Sequence, residues 1–251
     1  IIENIPTSTL LHADVVDGSN KRRGRDTANH VFGNQASVLV GDYLYSRSFQ
    51  MMVELGSMRI QEVMADATNT IAEGEVLQLM NAGDPGTTEA RYYEVIYRKT
   101  AKLFEAGAQI AAILSGSSPA VESAMVEYGR RLGTAFQLVD DALDYKASPD
   151  ELGKNLGDDL AEGKPTLPLI FALANASGGD AATLRSAIEH GDVAELDFIT
   201  RLIERSGGLE YTARAAQKEK DAAVAALAQV PASPFRAALE GLAEFAVART
   251  Y

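Results

Sequence analysis

Two short stretches carry acidic residues at spacings suited to metal-assisted chemistry on a phosphate. LLHADVVDGSNKRRG at 10–24 holds Asp14 and Asp17, followed by Lys21, Arg22 and Arg23; FQLVDDALDY at 136–145 holds Asp140, Asp141 and Asp144. The first has Ala13 where the second has Asp140. At about 100° per residue, Gly133, Gln137, Asp140 and Asp144 fall on one helical stripe with Asp141 offset. Leu132, Ala135, Phe136, Val139 and Leu143 form the apolar stripe beside it. Like charges one turn apart weaken a helix unless a cation sits between them. Magnesium suits that place, because it takes one or two carboxylates, keeps several waters and completes its shell with substrate phosphates. Asp14 and Asp17 lie one turn apart at a helix end, and GSNKRRGR reads as a glycine-bounded basic loop. Each guanidinium there can fork two hydrogen bonds onto a diphosphate. A solvated acidic face is the ordinary reading of DDxxD alone, and solvated charge that of Arg22–Arg23. Context shifts the balance: the neighbours Phe136, Leu138 and Val139 are apolar, and LGKNLGDDLAEGKPTLPL follows with Lys154 and Lys164 among glycines.

The elements that must position these groups are helices. Apolar residues recur at three- and four-residue steps over 34–56, 57–83, 88–116 and 118–146, with Gly56, Gly83 and Gly116 as C-terminal stops. Ser118, Pro119 and Glu122 make a good helix start, and shorter alanine-rich helices follow residue 176. No alternating strand pattern of useful length is present. The expectation is an all-α fold in a single domain, which 251 residues and 46% hydrophobic content support. No apolar run is long enough to span a membrane. The start lacks a secretory pattern and there is no cysteine, which fits the cytoplasm. A net charge of −12 argues against nucleic acid and anionic lipid as partners, and requires basic residues to gather locally around any anionic substrate. His12, His30 and His190 have no ligand spacing.

Taken together, LLHADVVD, the RRGR segment, FGN and ASVLVGDYLYSR, NTIAEGEVLQL, RKTAKLF, and GTAFQLVDDALDY with LGKNLGDDLAEGKPTLPL resemble the trans-isoprenyl diphosphate synthase family, in its long-chain, quinone-tail branch. The resemblance covers nearly the whole chain. It implies a helical bundle around a deep central cavity, with the two aspartate motifs facing each other across its mouth and three magnesium ions between them and an allylic diphosphate. The diphosphate leaves, isopentenyl diphosphate attacks the allyl cation, a proton departs, and the chain is one isoprene unit longer. The resemblance assigns metal binding to Asp14, Asp17, Asp140, Asp141 and Asp144. It gives the allylic diphosphate to Arg22 and isopentenyl diphosphate to Arg23, and sets Lys99, Thr100, Gln137 and Lys154 around the allylic diphosphate and the developing cation. Lys164 matches a second loop lysine. Ser8 and Thr9 occupy the turn where bulk limits product length. Neither is aromatic, so a product of roughly thirty to fifty carbons is expected. The family also implies a homodimer, for which ASVLVGDYLYSRSFQMM offers an apolar helix, equally suited to a core.

Two departures stand out. The family has an aspartate ligand at position 13, and alanine cannot ligate; a loss of that kind costs ~3 kcal/mol, or about two powers of ten in rate. The family also carries an upstream glycine-lysine-arginine motif and a histidine that hold isopentenyl diphosphate, so N-terminal helices are expected to be missing before Ile1. The leading expectation is a long-chain polyprenyl diphosphate synthase, impaired or inactivated at Ala13. The alternatives are a non-catalytic partner subunit, which Ala13 favours and the complete second motif disfavours, and a terpene cyclase, which the RRG and GDDLAEGKPTLPL segments fit poorly.

Overall fold

The computed structural model describes residues 1–22, 24–146 and 157–249. In chain order its elements are α1 (Asn4–Val16), a two-strand ladder of β1 (Lys21–Arg22) and β2 (Arg25–Asp26), α2 (Ala28–Phe32), α3 (Asn34–Glu54), α4 (Met58–Asn81) and α5 (Glu89–Ile96). A wide π turn (Tyr97–Ala101) leads into α6 (Lys102–Leu114) and α7 (Pro119–Leu143). After these come α8 (Asp158–Ala161), α9 (Leu167–Asn175), α10 (Gly178–His190), α11 (Leu196–Ser206), α12 (Gly208–Ala226) and α13 (Pro234–Ala248). The all-α expectation holds, with the basic loop differing in detail: Lys21 pairs with Asp26 and Arg22 with Arg25 in a minute antiparallel hairpin.

Local chemistry explains the boundaries. Ser118 accepts from the Val121 N–H and Thr88 from the Arg91 N–H, capping α7 and α5. Gly56, Gly83 and Gly116 each take positive φ where a helix stops. The single helix expected over 88–116 is interrupted by the π turn, an extra residue in the helical register that periodicity alone does not reveal. The TLPL segment, read with the phosphate-handling loop, instead opens α9, with Pro168 in its first turn.

The chain divides into two compact units, residues 1–68 and residues 69–146 with 157–249. In the first, α1 lies against α3. Small residues make the approach close: the Ser8 hydroxyl donates to the Gly41 carbonyl at 2.8 Å and Ser37 to the Leu11 carbonyl at 2.9 Å. A Cβ on Gly41 would meet His12 Nε2 at 2.4 Å. Ile5, Met52, Ile60 and Met64 supply its buried apolar residues.

In the second unit α7 is the axis, flanked by α6 and α12. A Cβ on Gly129 would strike the Phe104 carbonyl oxygen at 2.4 Å, and one on Gly133 the Ala101 Cα at 2.6 Å. Glycine at these two positions lets α6 and the π turn lie directly on α7. Leu132, Ala135 and Leu143 are buried as their spacing predicts. Leu138, outside the predicted stripe, is wholly buried, while Phe136 and Val139 are only partly covered. Because α7 is packed on several sides, its buried surface is wider than one stripe.

Candidate active site

Each acidic group sits at the C-terminal end of a helix. In the first unit α1 stops at Val16, and Asp17 is its C-cap, its N–H bonded to the Ala13 carbonyl at 2.8 Å. Carbonyls left unpaired at such an end already make it negative, so Asp14 and Asp17 add charge where it is least welcome. Arg22 answers part of that: its Nε and Nη2 lie 2.8 and 2.6 Å from Asp14 Oδ1. Asp14 is buried, with Arg22 as its cationic partner. Asn29 Nδ2 donates to the carbonyls of Asp14 and Ser19, each at 3.1 Å, and Thr27 Oγ1 donates to Ser19 at 2.7 Å, tying the hairpin beneath the helix end. Asp17 is partly exposed. Ser8 is fully enclosed with its hydroxyl used on α3, and Thr9 donates back to the Pro6 carbonyl at 3.0 Å. Arg23 lies outside the described residues.

The second group repeats the pattern. Asp144 is the C-cap of α7, and one of its carboxylate oxygens accepts the Asp159 N–H at 3.3 Å. Asp140 is partly exposed, whereas Asp141 and Asp144 are buried. Asp141, offset from the Asp140–Asp144 stripe, is the hub. Its Oδ2 accepts from the Tyr92 hydroxyl at 2.6 Å, and its Oδ1 from Gln137 Nε2 at 2.6 Å. Four residues overshoot one helical turn by only about 40°, so the Asp141 side chain reaches back to Gln137. The Gln137 carbonyl in turn accepts from Thr100 Oγ1 at 2.9 Å. Lys99 Nζ pairs with Glu75 at 2.9 Å, and Lys164 with Glu162 and, at 3.6 Å, Asp159. Lys154 lies outside the described residues.

Burial and neighbouring acids make the surroundings of Asp141 unfavourable to negative charge. Burial first, and then the charges of Asp159 and Asp140, push the Asp141 carboxyl up to about 8, while the hydrogen bonds from Tyr92 and Gln137 oppose that shift. Burial also drives the Tyr92 phenol well above its usual range, with the Asp141 charge acting in the same direction, so it keeps its proton and donates. Carboxylates crowded at a negative helix end are good oxygen donors for a hard divalent cation. Among the described residues no three His, Asp or Glu side chains converge into a ready-made cage. Tyr92, Glu75 and Asp159 were missed in the sequence. Tyr92 carries no local motif, whereas Glu75 stood in view within NTIAEGEVLQL and Asp159 within the GDD run beside the lysines.

A family model described as polyprenyl synthetase matches residues 1–204. Octaprenyl diphosphate synthase of Escherichia coli (strain K12) is 55% identical over 250 residues, spanning 99% of this chain and 77% of that protein. The chain belongs to the polyprenyl synthetase family. It is a prenyltransferase built on the isoprenoid synthase helical fold. All-trans-nonaprenyl-diphosphate synthase (geranyl-diphosphate specific) of Rhodobacter capsulatus is 44% identical over 249 residues, 99% of this chain and 76% of that one. The crystal structure of polyprenyl synthase from Caulobacter crescentus CB15, complexed with calcium and isoprenyl diphosphate, matches with a TM-score of 0.95 and 47% identity. The match covers 100% of this prenyltransferase and 77% of that chain. Among the described residues, no helix of the polyprenyl synthetase is long and apolar enough to cross a membrane.

Proposed function

We propose that this prenyltransferase extends an allylic diphosphate with isopentenyl diphosphate to a long-chain all-trans polyprenyl diphosphate of the kind used as a quinone side chain. The observation that carries the reading is the pair of aspartate groups, each at a helix C-terminus and each with basic residues close in sequence or space. In the reaction, the allylic C–O bond breaks and its electron pair leaves with the diphosphate. The alkene electrons of isopentenyl diphosphate form the new carbon–carbon bond, and a proton is lost to restore a double bond. Asp17, Asp140 and Asp144 would hold magnesium, which when bound supplies charge neutralisation for the departing diphosphate. A cation held there would also favour the carboxylate form of Asp141.

The chain's own residues do the rest. Arg22, already oriented by Asp14, offers guanidinium donors to the allylic diphosphate, and Arg23 is assigned to isopentenyl diphosphate. Lys99, Lys154 and Lys164 add charge around the phosphates, with Lys99 exchanging Glu75 for substrate. Thr100 and Gln137 present oxygen atoms to the positive charge that develops on the allyl group. Ser8 and Thr9 are small, so they put no aromatic floor beneath the growing chain. Two copies are proposed to associate through apolar side chains that α3 leaves exposed.

The test is incubation of the chain with magnesium, isopentenyl diphosphate and an allylic diphosphate, with products read by mass. A ladder of products rising by isoprene units supports the reading. No product from either this chain or its Ala13→Asp variant would count decisively against it. Ala13 also favours a second reading, a non-catalytic subunit, and that reading predicts no product here but stimulation of a separate active synthase.

A further inference from the structure

The relay beside Asp141 extends beyond the residues so far given a role. Tyr92 sits on α5, in a segment with no aspartate, lysine or glycine of its own. It is buried in one apolar cluster with Ile96, Leu138, Leu167 and Ala216, and its ring stands edge-on to Tyr93, with centroids 5.6 Å apart. A phenol so packed has little freedom, and its hydroxyl meets Asp141 at 2.6 Å. From there the bonds run Asp141 to Gln137 and Gln137 to Thr100, joining α5, α7 and the π turn. The donors converge on Asp141: Tyr92 donates to it from one side, Gln137 donates to it from the other, and Thr100 donates to Gln137. Thr100 has then committed its only hydroxyl proton, so lone pairs are what its oxygen can offer a ligand.

We infer that Tyr92 is a positioning residue of the prenyl-transfer site, fixing Asp141 so that Gln137 and, through it, Thr100 are held with oxygen lone pairs available to the site. The inference rests on the proposed reading of Thr100 and Gln137 as groups facing the developing cation. A buried tyrosine that merely satisfied its own hydroxyl would need one acceptor; this one shares its acceptor with the amide that orients Thr100. The π turn supports the assignment, because Thr100 lies within it and such insertions concentrate at working sites. Loss of a partner one bond removed from the chemistry typically costs about 10- to 100-fold in activity.

Two measurements test this on the full chain. The first needs no turnover: in metal-free protein with labelled glutamine, the Gln137 side-chain amide signals are identified by their loss in Gln137→Met. Tyr92→Phe should move those signals and speed their exchange with water, while Tyr128→Phe, whose hydroxyl bonds the Leu239 carbonyl, should leave them in place. Unmoved Gln137 signals in Tyr92→Phe overturn the inference whether or not the chain elongates anything. The second is kinetic, in the elongating form. Tyr92→Phe and Thr100→Val should each lower kcat about tenfold with KM nearly unchanged, and the double variant should be little worse than either alone. Multiplied losses would mean Tyr92 acts independently, and would equally overturn it. Should Tyr92→Phe not fold, Thr100→Val is read from the other end, where the hydrogen-bonded Tyr92 hydroxyl proton should shift; a stationary resonance refutes the relay.

Discussion

Position 13 decides how much of the proposed chemistry this chain can perform. Ala13 lies one turn before Asp17, whose N–H bonds its carbonyl, so a carboxylate there would stand over Asp17 as Asp140 stands over Asp144. Ala13→Asp is therefore expected to raise the elongation rate by about 100-fold, measured as isoprene units added per unit time at saturating magnesium. An unchanged rate would show that Ala13 is not at a ligand position. Asp141 gives a second prediction. Its carboxyl is pushed up to about 8, mainly by burial, whereas in the unfolded chain it titrates near the ordinary aspartate value of about 3.9. Between those values the folded protein keeps a proton that the unfolded chain has released, so this contribution to stability is full below about pH 4 and is lost as pH rises through about 8. Urea unfolding of the metal-free protein should show that decline, and Asp141→Asn should flatten it. A slope of the opposite sign would mean that the hydrogen bonds from Tyr92 and Gln137, which favour the carboxylate, outweigh its burial.

At the scale of elements, two glycines set the distance between α7 and the segment that carries Thr100. In an open helix, Gly→Ala stabilises by up to about 1 kcal/mol. At Gly133 the new Cβ would lie 2.6 Å from a backbone carbon, and overpacking of that kind costs about 1–3 kcal/mol. Gly241 on α13 has nothing within 4 Å of the same position. Thermal melts should thus separate the two: Gly133→Ala lowers Tm and also disturbs Thr100–Gln137, while Gly241→Ala raises it. Equal and positive shifts would mean α7 and the π turn are looser than their packing indicates. The same elements show what the sequence could reveal. Helix ends at Gly56, Gly83, Gly116 and Ser118 were legible, because capping and left-handed glycine are local chemistry. So was the stacking of Asp140 over Asp144, which needs only the helical repeat. The π turn was not legible, since one inserted residue leaves the apolar spacing on either side almost unchanged. Nor was the bond from Tyr92 to Asp141, which depends on two helices 49 residues apart in sequence being packed together. The pairing of Asp14 with Arg22 was likewise hidden, because it depends on the fold of the hairpin that follows α1.

For the whole molecule, charge and exposed apolar surface pull in opposite directions. A net charge of −12 makes two copies repel at long range, so association needs an apolar surface large enough to overcome it. Such surface exists on α3, where Leu39 is 68% and Tyr43 64% exposed one helical turn apart, with Val40 beside them. A second stripe, Val76, Leu79 and Met80, lies open on α4 at the same helical spacing. Isolated apolar residues on a surface mean little, but rows at helical spacing on long helices are what a stable homodimer covers, and such interfaces bury about 800 Å² per partner. Light scattering at micromolar concentration should therefore return twice the 26.8 kDa chain mass. Leu39→Glu with Tyr43→Glu adds two like charges per copy to the proposed contact and should return the single-chain mass, with the helical circular dichroism retained. High salt distinguishes the forces: screening should strengthen the parent dimer, because the repulsion it removes is long-range while the apolar contact is not weakened. A single-chain mass for the parent under both conditions would mean that the rows on α3 and α4 are covered by something other than a second copy.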